Sequence, residues 1–132
     1  MASIFDNPNF KPLDRVAGKP TISVTKNGVG FSKQALSRLD YSHYVQMFIN
    51  KVDRLLGIRP CSKDDQGAIK FVPEKKEKID SLRWFNPTFK ENIQSLVSNE
   101  LVNLNFGCEG VYLAEENTLL FDFTKAYPLE KD

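Results

Sequence analysis

The first half of the chain alternates hydrophobic and polar positions in an order that predicts two hairpins separated by a helix. Residues 22–25 alternate with period 2, as a strand with one buried face does. The Asn27-Gly28 pair that follows predicts a type I′ turn and a short return strand. Apolar residues spaced by three and four then predict a short helix with Ser32 as its N-cap. Residues 44–50 alternate again and, with residues 55–59, predict the second hairpin.

The second half repeats this order less clearly. Residues 68–72 and 82–85 are expected to be strands. Asn86-Pro87 is an N-cap followed by proline at the first helical position, and the apolar residues from Phe89 to Val97 predict an amphipathic helix after it. The remaining expectations are a strand at 102–106, a long turn with a short extended piece at 107–118, and a last strand at 119–123.

A shift of 57 residues aligns the two halves and predicts an internal duplication. It maps the alternating residues of the first half onto those of the second: Val45, Met47 and Ile49 onto Val102, Leu104 and Phe106. The predicted fold class is therefore α+β, with two tandem β-β-α-β-β units (about 21–61 and 68–124) sharing one core, as small antiparallel sheets or a barrel with two short helices. Residues 1–20 are expected to form an N-terminal arm and residues 21–132 a single domain. The alternative is that two short patterns resemble each other by chance.

Composition and charge narrow the class of protein. The chain has 132 residues, 41% of them hydrophobic and 27% charged, and no apolar run long enough to span a membrane. Its N-terminus has no basic segment followed by an apolar core, so the expected location is the cytoplasm. The net charge of +1 conceals an asymmetry, because residues 1–63 carry +6 and residues 64–132 carry −5. That asymmetry predicts a face for an anion or an acidic partner, or else two surfaces that pair with each other.

Several short segments carry a family resemblance. They are residues 24–33, Leu36, Leu39, Tyr44-Val45 and Ile58-Arg59-Pro60. Their order resembles the swapped-hairpin fold of AbrB-type bacterial transcription regulators, and two copies in one chain resemble the MraZ variant. The chain departs from the family pattern at Ser32, where proline is usual, and at Ser42-His43, which stand in place of Gly-Asp.

The resemblance implies a non-enzymatic, dimeric DNA-binding regulator. Lys26, Lys33 and Arg38 match the family's DNA-facing segment, where basic side chains would neutralise phosphates. Arg15 and Lys19 would reach the same surface from the arm, and Asn27 is the turn residue expected to contact a base edge. The alternative for each of these side chains is an ordinary solvated surface position.

No catalytic or metal-binding residue is predicted. His43 is the only histidine, and Cys61 and Cys108 are expected to be reduced thiols without a catalytic role. No cofactor, small-molecule ligand or membrane partner is predicted either. Asp64-Asp65 and Glu115-Glu116 are paired carboxylates in polar, turn-like segments, where adjacent side chains point apart rather than converge.

Two other functions compete with the DNA-binding regulator. The first is a protein-interaction or antitoxin-like module on the same fold. The second is an enzyme or ligand-binding protein that uses a cleft between the repeats; a deep pocket lined by Trp84, Tyr112 and convergent polar groups would favour it. Tyr44 and Phe48 share one strand face, where they would form a dimer core or stack on single-stranded bases. The dimer core is the preferred interpretation.

Overall fold

The structure, a computed structural model, describes residues 18–73 and 81–129. Within these residues nine strands form one sheet with antiparallel pairing, accompanied by three short α-helices and two single 3₁₀ turns at Ala114–Glu116 and Phe123–Lys125. The strands are β1 (Thr21–Thr25), β2 (Gly28–Ser32), β3 (Tyr44–Asn50), β4 (Leu55–Pro60), β5 (Ile69–Lys70), β6 (Ser81–Trp84), β7 (Phe106–Leu113), β8 (Thr118–Asp122) and β9 (Tyr127–Pro128). The helices are α1 (Lys33–Arg38), α2 (Pro87–Gln94) and α3 (Asn99–Val102).

The sheet bends around β7, its longest strand. Residues 106–109 of β7 pair with β1, whereas residues 110–113 pair with β8. The strand order is β5-β3-β4-β8-β7-β1-β2-β6, and β9 pairs with the start of β7. The result is a half-barrel whose edge strands are β5 and β6.

Aromatic rings connect these two edges. Phe71, directly after β5, and Trp84 of β6 lie edge to face with their ring centroids 5.4 Å apart. The Phe31 ring lies 5.0 Å from that of Phe71, and the Phe89 ring of α2 lies 5.1 Å from that of Trp84. Each such pair contributes about 0.5–1.5 kcal/mol beyond area burial. In the described residues these contacts join the two edges, since no backbone pairing links β5 to β6.

The interior is apolar throughout. The buried hydrophobic residues form one contiguous cluster contributed by most of the strands and by α1 and α2. Among the described residues no polar or charged side chain is buried, and no buried side-chain nitrogen or oxygen lacks a hydrogen-bond partner. Apolar burial therefore supplies the main stabilising term of this core.

The local helix signals are confirmed. Ser32 caps α1, because its Oγ accepts from the backbone N–H of Ala35 at 3.2 Å and also from that of Thr21 at 2.9 Å. Asn86 caps α2, since its Oδ1 accepts from the Phe89 N–H at 3.1 Å. The predicted apolar faces of both helices are buried.

The predicted fold class is wrong. The chain is mostly antiparallel sheet forming a half-barrel with three short helices, not an α+β protein with two tandem β-β-α-β-β units. The strands of the two predicted units interleave, because β1 pairs with β7, β2 with β6 and β4 with β8. The proposed alignment also fails, since Met47 packs on the core from β3 whereas Leu104 is exposed in the loop after α3.

The segment from residue 102 to residue 118 differs most from expectation. Val102 ends the short helix α3 instead of beginning a strand, and the strand starts at Phe106. The expected long turn is most of β7. Gly107 and Gly110 lie inside this strand, and each lies under an aromatic ring: a Cβ on Gly110 would lie 2.8 Å from the Phe121 ring, and one on Gly107 would lie 3.1 Å from that of Tyr127. Glycine inside a strand here marks a close approach.

Two smaller predictions also need correction. The turn after β1 is not type I′, because neither Lys26 nor Asn27 has a positive φ; the positive φ, 121°, falls on Gly28. The strand expected at 68–72 is confined to Ile69–Lys70.

Candidate nucleic-acid interface

A basic cavity of about 730 Å³ opens on the surface beside β7. Its walls come from the segment before β1, the end of α1, the middle of β7, the 3₁₀ turn after β8, and β9. The lining residues are Gly18, Lys19, Pro20, Arg38, Glu109, Gly110, Val111, Tyr112, Lys125 and Tyr127. Three cationic side chains and one carboxylate line it, leaving a formal excess of two positive charges.

Backbone contacts fix the segment that carries Lys19. The Gly110 N–H donates to the Pro20 carbonyl at 2.8 Å, which extends the β1–β7 pairing by one step. At the other side Gly18 has a φ of 102° and lies close to Gln34 of α1. The Lys19 ammonium is then placed 3.4 Å from the Glu109 carboxylate, with both side chains more than half exposed. Exposed pairs contribute at most about 1 kcal/mol, so an incoming phosphate competes readily for Lys19.

Two tyrosines add hydrogen-bonding groups to the cavity. The Tyr127 ring lies over Gly107, and burial together with the Glu109 carboxylate raises the pKa of its phenol above the ordinary value. Tyr127 therefore stays protonated at neutral pH and can donate to an anion. The Tyr112 hydroxyl already donates to Asn117 Oδ1 at 2.5 Å.

The predicted DNA-contacting residues do not form one cluster. Lys19 and Arg38 line the basic cavity together. Lys26 and Asn27 lie beyond the opposite end of β1, and Lys33 begins α1 after the far end of β2. At about 3.3 Å per residue, the five residues of β2 separate the Lys26-Asn27 turn from Lys33 by roughly 17 Å.

Arg15 lies outside the described residues, as does most of the expected arm. The arm's last residues, 18–20, are described, and Pro20 is buried against the sheet.

The Lys26-Asn27 turn adjoins a second, smaller depression between the two sheet edges. This edge groove, of about 360 Å³, is lined by Ile69, Lys70, Arg83, Trp84, Phe85 and Asn86. Phe85 is 76% exposed and lies beside Gly28, the residue that follows the turn. The groove thus combines two cations with an exposed ring.

Sequence reasoning missed Lys125 and Tyr127 in the basic cavity. Their placement depends on the pairing of β9 with β7, which has no local sequence signal. Trp84 and Tyr112, the two residues named for a cleft between the repeats, line different depressions: Tyr112 lines the basic cavity and Trp84 lines the edge groove.

The two cysteines, the histidine and the possible metal ligands of the described residues were considered as reactive groups. Burial raises the pKa of Cys108 to about 12, and burial also raises the pKa of Cys61, so both thiols resist ionisation at neutral pH. His43 Nδ1 lies 2.9 Å from the Val72 carbonyl oxygen. In residues 18–73 and 81–129, no group of three His, Cys, Asp or Glu side chains could hold a metal ion.

Comparisons with family models, curated proteins and solved structures found no match to this chain. None of the described helices has the length and apolar character needed to cross a bilayer.

Proposed function

We propose that this chain is a non-enzymatic, cytoplasmic DNA-binding protein of the bacterial transcription-regulator kind, and that it holds DNA phosphates at the basic cavity. The observation that carries the proposal is the convergence of Lys19, Arg38 and Lys125 from three separate elements on one concavity. Lysine and arginine are the side chains that neutralise phosphates in protein–DNA contacts. The kinship with AbrB-type regulators remains a prediction based on the short sequence segments.

The geometry favours backbone contacts over base reading at this cavity. Its cations come from a strand-flanking segment, a helix end and a 3₁₀ turn, so they surround the concavity instead of projecting as one ridge. The protonated Tyr127 phenol supplies an additional donor. Asn27 lies at the far end of β1, where it remains the predicted base contact.

The salt dependence of DNA affinity tests the proposal. Three phosphate contacts predict a slope of log K against log salt of roughly −2.7, so affinity for a duplex should fall about 40-fold between about 50 and 200 mM salt. Neutralising one cation, as in Lys125→Gln, should lower the slope by about 0.9 and the ratio to about 12-fold. Fluorescence anisotropy with a labelled duplex measures both.

Lys51→Gln is the matched control, because Lys51 is exposed in the β3–β4 turn outside the cavity. It should leave the slope unchanged. The absence of salt-sensitive binding at micromolar protein would refute the function. A Lys51→Gln effect equal to that of Lys125→Gln would refute the site.

The second candidate function is a protein-interaction or antitoxin-like module. The observation that favours it is the exposed apolar side chains on the outer sheet face, including Phe48 and Val111. A protein that co-purifies with the chain, together with unchanged DNA affinity after charge reversal of Lys33 and Arg38, would support this alternative.

A further inference from the structure

The sheet face that points away from the core carries an apolar row across four strands. In the pairing register, Phe48 of β3 lies opposite Gly57 of β4, and Gly57 lies opposite Leu120 of β8. Leu120 in turn lies opposite Val111 of β7. Phe48 is 52% exposed and Val111 is 62% exposed. Gly57 has no side chain and is itself buried, and an added Cβ there would lie 3.4 Å from the Thr118 Cγ2 methyl.

Charged groups flank this row. A groove of about 700 Å³ over β3, β4 and β8 is lined by Arg59 as well as by Glu115 and Glu116. The Arg59 guanidinium lies 5.1 Å from the centre of the Phe48 ring, and its Nε donates to Gln46 Oε1 at 2.7 Å. Arg59 and Phe48 are therefore held in place before any partner arrives, which lowers the entropic cost of docking.

We propose that a second copy of this chain docks on the outer face, in a two-fold dimer. The axis lies in the interface plane, parallel to the strands and between β4 and β8. Rotation about this line places β3 of one copy over β7 of the other, and β4 over β8, as an isologous interface requires. Phe48 then contacts Val111 of the second copy, and Leu120 of the second copy lies over Gly57.

The same rotation makes the charges complementary. Arg59, near the end of β4, faces the start of β8 in the second copy. Glu115 and Glu116 immediately precede that strand. The symmetry repeats this cation–carboxylate contact twice, once from each copy. This match of the surface with its own rotated image favours a second copy over an unrelated apolar segment.

The size of the outer face sets the expected strength of self-association. Four strands about 4.8 Å apart and about six residues long, at about 3.3 Å per residue, present roughly 19 by 20 Å. That is less than the about 800 Å² that each partner contributes to a standard stable interface. An interface this small belongs to the weak, transient class, so self-association should appear only at micromolar or higher protein concentrations.

Sedimentation equilibrium of the full chain over roughly 5–500 μM tests the dimer. The wild type should self-associate, and Val111→Lys should weaken association at least tenfold. Val52→Lys is the matched control, because Val52 is 91% exposed in the β3–β4 turn, outside the row. It should dimerise like the wild type. Near-ultraviolet circular dichroism, which reports the packing of Trp84, verifies that each variant is folded.

Variants with exchanged charges then test whether the molecule that docks on the outer face is a second copy of this chain. Arg59→Glu alone, and Glu115→Arg with Glu116→Arg alone, should each lose self-association at least tenfold. A mixture of the two variants should recover it, because each contact then pairs opposite charges between different chains. A wild type that stays monomeric throughout would overturn the proposal and leave this face to a different protein. Dimers unaffected by Val111→Lys, or a mixture without recovery, would also overturn it.

Discussion

Replacement of Gly28 by alanine tests the packing that places the Lys26-Asn27 turn. Gly28 has a φ of 121°, a conformation that L-residues rarely adopt. An added Cβ would lie 2.3 Å from the backbone oxygen of Trp84 on the neighbouring strand. That oxygen belongs to the main chain, so a side-chain rotation cannot relieve the overlap, and β2 and β6 would have to separate locally.

The expected destabilisation has two parts. Positive φ costs alanine about 1–2 kcal/mol, and overpacking typically costs about 1–3 kcal/mol. Gly28→Ala should therefore lower the free energy of unfolding by about 2–5 kcal/mol, against a total of about 5–15 kcal/mol for a domain of this kind. Gly67→Ala isolates the backbone part, because Gly67 also has a positive φ, 75°, but an added Cβ there would meet nothing within 4 Å.

Equilibrium unfolding in urea, followed by the fluorescence of Trp84, provides the measurement, since this is the only tryptophan in the chain. With a slope of about 2 kcal/mol/M, a difference of 2 kcal/mol between the two variants separates their midpoints by about 1 M. Equal midpoints for Gly28→Ala and Gly67→Ala would show that β2 does not approach β6 as described, and the position of the Lys26-Asn27 turn would then be wrong as well.

Two further predictions concern single side chains. Ser32→Ala should lower the free energy of unfolding in urea by about 1–2 kcal/mol, because the N–H groups of Thr21 and Ala35 both lose their acceptor. Ser32→Thr keeps the hydroxyl oxygen and should restore most of this stability. Equal losses in both variants would contradict the role of Ser32 as the cap. Since burial raises the pKa of Cys108 from 9.0 to about 12, its contribution to stability should be complete below about pH 9 and decline as the pH rises towards 12. The urea midpoint of the wild type should fall more between pH 8 and pH 10.5 than that of Cys108→Ala. An identical pH dependence of the two midpoints would contradict the raised pKa of the Cys108 thiol.

Local features of the fold could be predicted because neighbouring residues encode them. Ser32 and Asn86 cap helices through backbone groups three residues away, and the alternation of residues 44–50 matches β3. The pairing of β1 with β7 joins residues more than 80 positions apart, and no local pattern specifies it. The turn expected at residues 107–118 was wrong for a related reason. What makes Gly110 necessary is the Phe121 ring, which belongs to the next strand.

The candidate site, like the fold, could be predicted from the sequence only in part. Lys19 and Arg38, two of the residues predicted to contact DNA, line one cavity. Lys125 and Tyr127 reach that cavity only through the return of the chain end along β7. Conversely, Lys26 and Lys33 are close in sequence but are held at opposite ends of β2, because an extended strand separates its flanking residues.

The wholly apolar interior has a practical consequence for experiments on this chain. Among the described residues no charged residue is buried, so ionic strength acts on their charges mainly by screening. Added sodium chloride should consequently weaken the attraction of anions to the surface while changing the melting temperature little, since it is not one of the kosmotropic salts that strengthen apolar burial. Salt concentration can thus change the attraction of anions without unfolding the protein. A loss of binding at high salt can therefore be attributed to weakened attraction and not to denaturation.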